Sequence, residues 1–383
     1  MFCKRITLFY CMLFFVGCKD ALVKPIRYKG GDLHPQPSKY IFPDTSNYRL
    51  HQQVSSVVKT TLDREAKDIM GRQAITGLSA AMFIPNQGIW QIDTGFISKP
   101  NNVLIDHLSV FYWASVAKLV TSTVVYQLVA EQKLKLSTPL QNWYPNIQNS
   151  NQITIEHLLN HTNGIYSFNS DSSLHFSQQL HSPTELLNIA LSKESLFQPG
   201  EYWAYTNTGY LLLALIVEQI ENKSFQEIVK DRIARPEQLS SLRVLNLGEL
   251  PNNLALAHYN NTTITTEYSV PLGAGNIVAN SKDMVLFFYA LLVGKYLPIE
   301  TVHGMLANLY PMFNDGMYYG NGIMLYDFDK INGSSQEWIG HSGGTENYKA
   351  VLAYDTNTGV ICAVSVNQNI SAEAIAFILM KAL

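Results

Sequence analysis

No charge of one sign dominates this chain. Lysine and arginine total 27 and aspartate and glutamate 30, a net charge of −3, so there is no basic field with which to hold nucleic acid. Charged residues make up 15% and hydrophobic ones 47%, which excludes the low-hydrophobicity, high-charge composition of disordered proteins. Cysteine is scarce, with Cys3, Cys11, Cys18 and Cys362 in 383 residues. Three fall in the first 18 positions, so the body of the chain holds Cys362 alone and no disulfide framework can brace it. Cys362 stands in an apolar run, residues 360–364, where a buried, inert thiol is expected. No repeat recurs at a period of 20 to 50 residues. His157 and His161 stand four apart, but no glutamate completes an H-E-x-x-H zinc pattern. The glycines of Lys29-Gly30-Gly31 lack the following Lys-Ser of a phosphate loop. No metal or cofactor is therefore expected.

The N-terminus differs from the rest. Lys4 and Arg5 precede an apolar run over residues 6–16, too short to span a bilayer and laid out like an export signal. Phe15-Val16-Gly17-Cys18 resembles a bacterial lipobox, in which the cysteine is acylated and becomes the new N-terminus. Acyl chains on Cys18 would hold the protein at a membrane surface, each buried methylene contributing about 0.8 kcal/mol. Residues 1–17 are thus expected to be a lipoprotein signal. Residues 18–45, rich in Pro, Lys and Gly without sustained periodicity, would be a tether.

Beyond the tether, residues 46–70 carry apolar positions at helical spacing. Two apolar runs, 78–84 and 89–92, flank Pro85-Asn86-Gln87-Gly88 as in a hairpin. Helical patterns follow at 115–131, 155–160, 183–192, 209–221, 225–233 and 284–292. Strand-like runs occupy 322–326, 348–354 and 360–366, and a helix closes the chain at 372–383. This order predicts an α+β fold: an antiparallel sheet built from both chain ends, flanked by terminal helices, with a mostly helical region inserted. The single domain would span 46–383, with 46–113 and 286–383 forming the α/β part and 114–285 the helical part.

Three short motifs carry chemistry. Ser115-Val116-Ala117-Lys118 puts a hydroxyl and an amine on one helix face. The apolar residues that follow imply burial, which depresses a lysine pKa and leaves an amine able to take a proton. A serine at a helix start also has free N–H groups beside it to hold an oxyanion. Ser56 and Lys59 repeat the spacing, but on an amphipathic helix where the lysine would be solvated. Tyr205-Thr206-Asn207 is the second element. Tyr-x-Asn recurs at Tyr144, Tyr259 and Tyr319, yet only Tyr205 lies between a Pro-Gly turn and an apolar helix. The third is His341-Ser342-Gly343-Gly344, the one His/Lys-Ser/Thr-Gly in the sequence, whose small residues would let a substrate backbone lie along a strand edge.

In this order the motifs resemble those of the serine β-lactamase and penicillin-binding protein superfamily, most closely the branch of class C β-lactamases, D-alanyl-D-alanine carboxypeptidases and related esterases. Residues 153–164 (I-T-I-E-H-L-L-N-H-T-N-G), 197–213 and 273–290 also resemble family segments. The resemblance implies that Ser115 is acylated, that Lys118 and Tyr205 share its proton, and that Asn207 binds the substrate amide. It implies substrate binding by His341, Ser342 and Gly343. The amides of Ser115 and Gly344 would form an oxyanion hole, at about 3 to 4 kcal/mol per donor. His341 stands where β-lactamases have lysine. Its imidazole is expected to be partly charged near neutral pH, giving a carboxylate clamp that weakens as pH rises. The expected activity is a cofactor-independent acyl hydrolase acting on D-amino-acid peptides, cell-wall fragments such as peptidoglycan pieces, or esters, rather than a true β-lactamase. The alternative is a lipoprotein that binds penicillin or cell-wall peptide without turnover.

Overall fold

The computed structural model describes residues 50, 52–174, 179–260, 262–264 and 272–383. The expected signal segment, Cys18 and the tether lie outside the described residues. Nine strands form one antiparallel sheet: Gly77–Ile84 (β1), Gly88–Ser98 (β2), Val103–Leu104 (β3), Tyr310–Pro311 (β4), Met317–Tyr319 (β5), Met324–Asp327 (β6), Glu337–Gly344 (β7), Lys349–Asp355 (β8) and Ile361–Val366 (β9). Their order is β3-β2-β1-β9-β8-β7-β6-β5-β4. The two chain ends meet where β1 pairs with β9, Leu78 opposite Val366 through Phe83 opposite Ile361. Every residue of β1 and β9 is buried, because both faces of the sheet are covered. Successive residues serve different cores: Ala81 and Phe83 join the core under the inserted helices, while Ala80 and Met82 face the terminal helices Ser56–Gln73 (α1) and Ala372–Lys381 (α5). This period of two explains why the central strands read as continuous apolar runs. Cys362 is fully buried opposite Met82 and Ala353, and burial pushes its thiol pKa up.

Between β3 and β4 the chain is mostly helical, with Ala117–Ala130 (α2), Asn207–Glu221 (α3) and Ser281–Leu292 (α4) as its longest elements. Helix α2 is buried from Ala117 to Tyr126, so it lies inside the core instead of floating on it. Its hydroxyl side chains bond within that core. Thr123 donates to the Leu119 carbonyl (2.8 Å), and Ser122 meets the Tyr210 hydroxyl (3.1 Å). The antiparallel sheet with terminal helices and a helical insertion is the architecture expected from the sequence. Strands β3, β4 and β5 were not anticipated; at two or three residues each they are too short to show a period.

Candidate active site

The turn before α2 positions Ser115. Trp113 is pinned on both sides: its backbone N–H donates to Ile277 O (3.0 Å) and its indole N–H to Ala279 O (2.9 Å). The chain then bends through Ala114, whose φ of 46° is left-handed, a conformation costing a non-glycine residue about 1–3 kcal/mol and held only by its surroundings. Ser115 follows in the short 3-10 turn Ala114–Val116 and stays partly exposed.

Lys118, one turn on, is completely buried. Its Nζ donates to Asn207 Oδ1 (2.7 Å) and to the Ala274 carbonyl (2.8 Å), and lies 3.1 Å from Ser115 Oγ. Amide and carbonyl oxygens can only accept. Two of the nitrogen's positions are therefore committed as donors, and the third faces the serine hydroxyl. Desolvation holds the Lys118 pKa well below its ordinary value, so the neutral amine, with its lone pair towards Ser115, is favoured. By contrast Lys59, of the other Ser-x-x-Lys, is half-exposed and paired with Asp63 at 2.5 Å.

Tyr205 and Asn207 reach the site from the start of α3. The Pro199-Gly200 turn is tied to Thr162 O by the Gly200 N–H (2.8 Å), and the Ala204 N–H donates to His161 O (3.0 Å). His161 is buried at φ 66°, its Nδ1 accepts the Thr206 N–H (3.2 Å), and its ring packs 4.3 Å from that of Tyr205. So fixed, the Tyr205 hydroxyl hydrogen-bonds the Ser115 side chain, and burial raises its pKa, keeping the phenol protonated. Lys118 Nζ lies 4.8 Å from the Tyr205 ring centroid. The Asn207 amide is oriented by a residue the motifs did not single out: its Nδ2 donates to Asn169 Oδ1 (2.9 Å). Tyr210 and the Ala274 carbonyl were also missed as members of the site, though both lie in segments that carried the family resemblance. Tyr319, in one of the other Tyr-x-Asn matches, stands behind Tyr205 with ring centroids 5.9 Å apart.

The third motif lies on β7. That strand pairs with β6 only from Glu337 to Gly340, while its pairing with β8 continues to Gly344. From His341 onward β7 thus has an edge not used by β6. Gly343 packs directly on the nucleophile turn. A β-carbon there would overlap the Trp113 carbonyl oxygen and come within 3.1 Å of Ser115 N. Close approach of two backbones is what the glycine permits. Gly344, next along, is exposed.

His341 departs from expectation. It is 1% exposed; Nδ1 lies 2.6 Å from its neighbour's carbonyl, Ser342 O, and Nε2 lies 3.0 Å from Tyr319 OH. A carbonyl cannot donate, so Nδ1 carries the hydrogen and Nε2 accepts from the tyrosine. Burial pushes the His341 pKa down to about 3. The imidazole is neutral across the physiological range, and the titrating carboxylate clamp expected at this position is not formed. The Ser342 hydroxyl is likewise engaged inside, 2.5 Å from Tyr326 OH, so neither side chain of the pair presents a group to the edge. His157 and His161 do not share a helix face: the helix containing His157 ends at Leu159, and His157 Nδ1 caps it by accepting from the Thr154 N–H (3.3 Å).

An antiparallel sheet under terminal helices, with a buried Ser-x-x-Lys helix in the insertion, defines the serine β-lactamase and penicillin-binding protein class of fold. The chain belongs to the Beta-lactamase family, whose model matches residues 62–380. It is 25% identical over 324 residues to penicillin-binding protein 4 of Amycolatopsis lactamdurans, spanning 78% of this chain and 82% of that one. It is 21% identical over 307 residues to the teichoic acid D-alanine hydrolase of Staphylococcus aureus, spanning 73% of each. A solved D-amino acid amidase from Ochrobactrum anthropi SV3 superposes with a TM-score of 0.77 at 21% identity, covering 85% of this chain and 98% of the amidase.

Proposed function

We propose that the protein is a serine acyl hydrolase that works through an acyl-enzyme on Ser115. The observation that carries this reading is the buried Lys118 nitrogen, committed as donor to two carbonyl-type oxygens and facing Ser115 Oγ with its remaining position. As Oγ attacks a substrate carbonyl, its proton passes to the Lys118 amine. The N–H groups of Ser115 and Gly344 hold the developing oxyanion, a role supported by the contact of Gly343 with the Ser115 turn. Tyr205, kept protonated by burial, gives its proton to the leaving group and recovers one from Lys118. Water then releases the acyl group. Asn207 holds Lys118 in place and borders the site where a substrate amide would lie.

For substrates we propose D-amino-acid peptides, cell-wall fragments or esters. A similar protein is named for hydrolysing D-alanine from teichoic acid and a similar structure for cleaving D-amino acid amides, which favours D-configured acyl groups. Export by residues 1–17 and a lipid anchor at Cys18 would place the enzyme on a membrane surface of the cell envelope. No helix among the described residues is long and apolar enough to cross a membrane, and fatty-acid labelling of the full chain reads the anchor directly.

The test is an active-serine probe with an activated D-alanyl ester. Wild type is expected to be labelled and to turn the ester over, and Ser115→Ala to do neither while keeping its circular dichroism. Labelling that persists in the variant removes Ser115 as nucleophile. Stoichiometric labelling without turnover in wild type points instead to a penicillin- or peptide-binding protein.

A further inference from the structure

We propose that Ser167 and Asn169 are positioning residues for activation of the nucleophile: they fix which end of the Asn207 amide faces Lys118, and so keep the lone pair of the lysine nitrogen turned towards Ser115. The proposal rests on the hydrolase reading above. It starts from an ambiguity in the amide, whose oxygen and nitrogen ends have nearly the same shape. A neutral amine can donate to the one or accept from the other. With the oxygen inward, as here, Lys118 Nζ donates to Asn207 Oδ1 (2.7 Å) and Ala274 O (2.8 Å), and its lone pair is left for Ser115 Oγ at 3.1 Å. With the nitrogen inward, Asn207 would donate to Lys118 and occupy that lone pair, leaving an amine hydrogen to face the serine. The base would be lost by the turn of one amide.

A backbone group fixes the direction. The Asn207 N–H can only donate, and it donates to Ser167 Oγ (2.9 Å). The Ser167 hydroxyl sends its own hydrogen to Asn169 Oδ1 (2.7 Å), and the same oxygen receives Asn207 Nδ2 (2.9 Å). Each hydrogen in this ring runs one way, and Asn207 Oδ1 is thereby left pointing at Lys118. Turning Asn169 over would set an NH2 group against the Ser167 hydrogen, and Ser167 is only 8% exposed. The loop that bears the pair is clamped to the first turn of α3. Phe168 is fully buried, its N–H donates to Thr208 Oγ1 (3.1 Å), and the Thr208 hydroxyl donates to the Tyr166 carbonyl (2.8 Å). Ser167 and Asn169 lie outside every segment that carried the family resemblance. The titratable groups facing Lys118 from the surrounding elements are Tyr205, Tyr210, His161 and His341. Burial keeps both phenols protonated and both imidazoles neutral, so the Asn207 contact is the one these two residues can alter.

The pH profile of kcat/KM for an activated D-alanyl ester, measured on the full-length protein, tests this. In Asn169→Leu the amide is free to turn, and the plateau above the acid limb should fall about tenfold, the size of one misdirected hydrogen bond to the base. The acid limb should also move to lower pH, because the ammonium form loses an oxygen that favoured it. Mere loosening of the site would do the reverse, since water reaching Lys118 raises its pKa towards the ordinary value. Asn169→Asp, whose oxygens only accept, should restore most of the plateau, with an acid limb moved to higher pH by the added charge. Ser167→Ala should shift limb and plateau as Asn169→Leu does but by less, and Ser167→Thr, which keeps the hydroxyl, should not; this pair carries the test if the leucine variant does not fold. An acid limb that rises in Asn169→Leu, or a plateau equally low in the Leu and Asp variants, overturns the proposal. Failure of wild type to turn the ester over overturns the hydrolase reading instead.

Discussion

His341 accepts, rather than gives, the hydrogen bond it shares with Tyr319. The ring's other nitrogen is committed as donor to the Ser342 carbonyl at 2.6 Å, so Nε2 at 3.0 Å from the tyrosine must carry the lone pair. A family position that could hold a charge is here a neutral part of the wall behind Lys118. The same neutrality suits Lys118, since a second cation beside it would only raise the cost of a charge already disfavoured by burial.

Acid stability follows from that ring. The His341 pKa is about 3 in the folded protein against an ordinary histidine value of 6.5, so between those values the unfolded chain binds a proton that the folded one refuses. Stability from this residue is complete above pH 6.5 and is lost as pH falls towards 3. Between pH 6.5 and 4.5 the loss is about 2.3 kcal/mol. Urea unfolding of wild type and His341→Gln at both pH values measures it: the variant's decline on acidification should be smaller by about that amount. Equal declines would mean that the imidazole titrates freely.

The Lys118–Asn207 contact makes a kinetic prediction. Asn207→Asp places a carboxylate where an amide oxygen stands 2.7 Å from Nζ. An opposite charge at that distance favours the ammonium and should raise the lysine pKa by about one unit or more. The acid limb of the kcat/KM profile, where Lys118 must lose its proton, should shift to higher pH by about that amount, with about a tenfold or greater loss at pH values on that limb. A profile with an unmoved acid limb would remove Lys118 as the base.

Much of this was legible in the sequence where the signal is local. The α+β order follows from periodicity, and Ser115, Lys118, Tyr205 and Asn207 stand out because one apolar helix and one turn-helix junction explain their spacing. The second Ser-x-x-Lys could be set aside for a reason the structure repeats: Lys59 lies on an exposed helix face and pairs with Asp63. What was not legible depends on register and rotamer. That His341 turns inward requires Tyr319, brought in by a three-residue strand with no period of its own. Asn169 orients Asn207 from 38 positions away, a contact no short motif encodes.

Gly343 gives the most direct test of how the third motif meets the first. Its surroundings leave no volume for a methyl group: a β-carbon would overlap Trp113 O, and Ser115 N would be 3.1 Å away. Gly343→Ala must therefore push β7 from the nucleophile turn, and the turn has little freedom to yield, because Trp113 is tied to Ile277 and Ala279 and Ala114 is already left-handed. Overpacking of this kind costs about 1–3 kcal/mol. Displacing the nucleophile by a fraction of an ångström to an ångström should cut kcat by about a hundredfold. Gly304→Ala is the control: nothing lies within 4 Å of its β-carbon, and in the helix Ile299–Met305 the change should stabilise by about 0.5–1 kcal/mol. Melting temperature and ester turnover, measured on both variants, separate the outcomes. Wild-type turnover in Gly343→Ala would show that β7 and the Ser115 turn are not in the contact described.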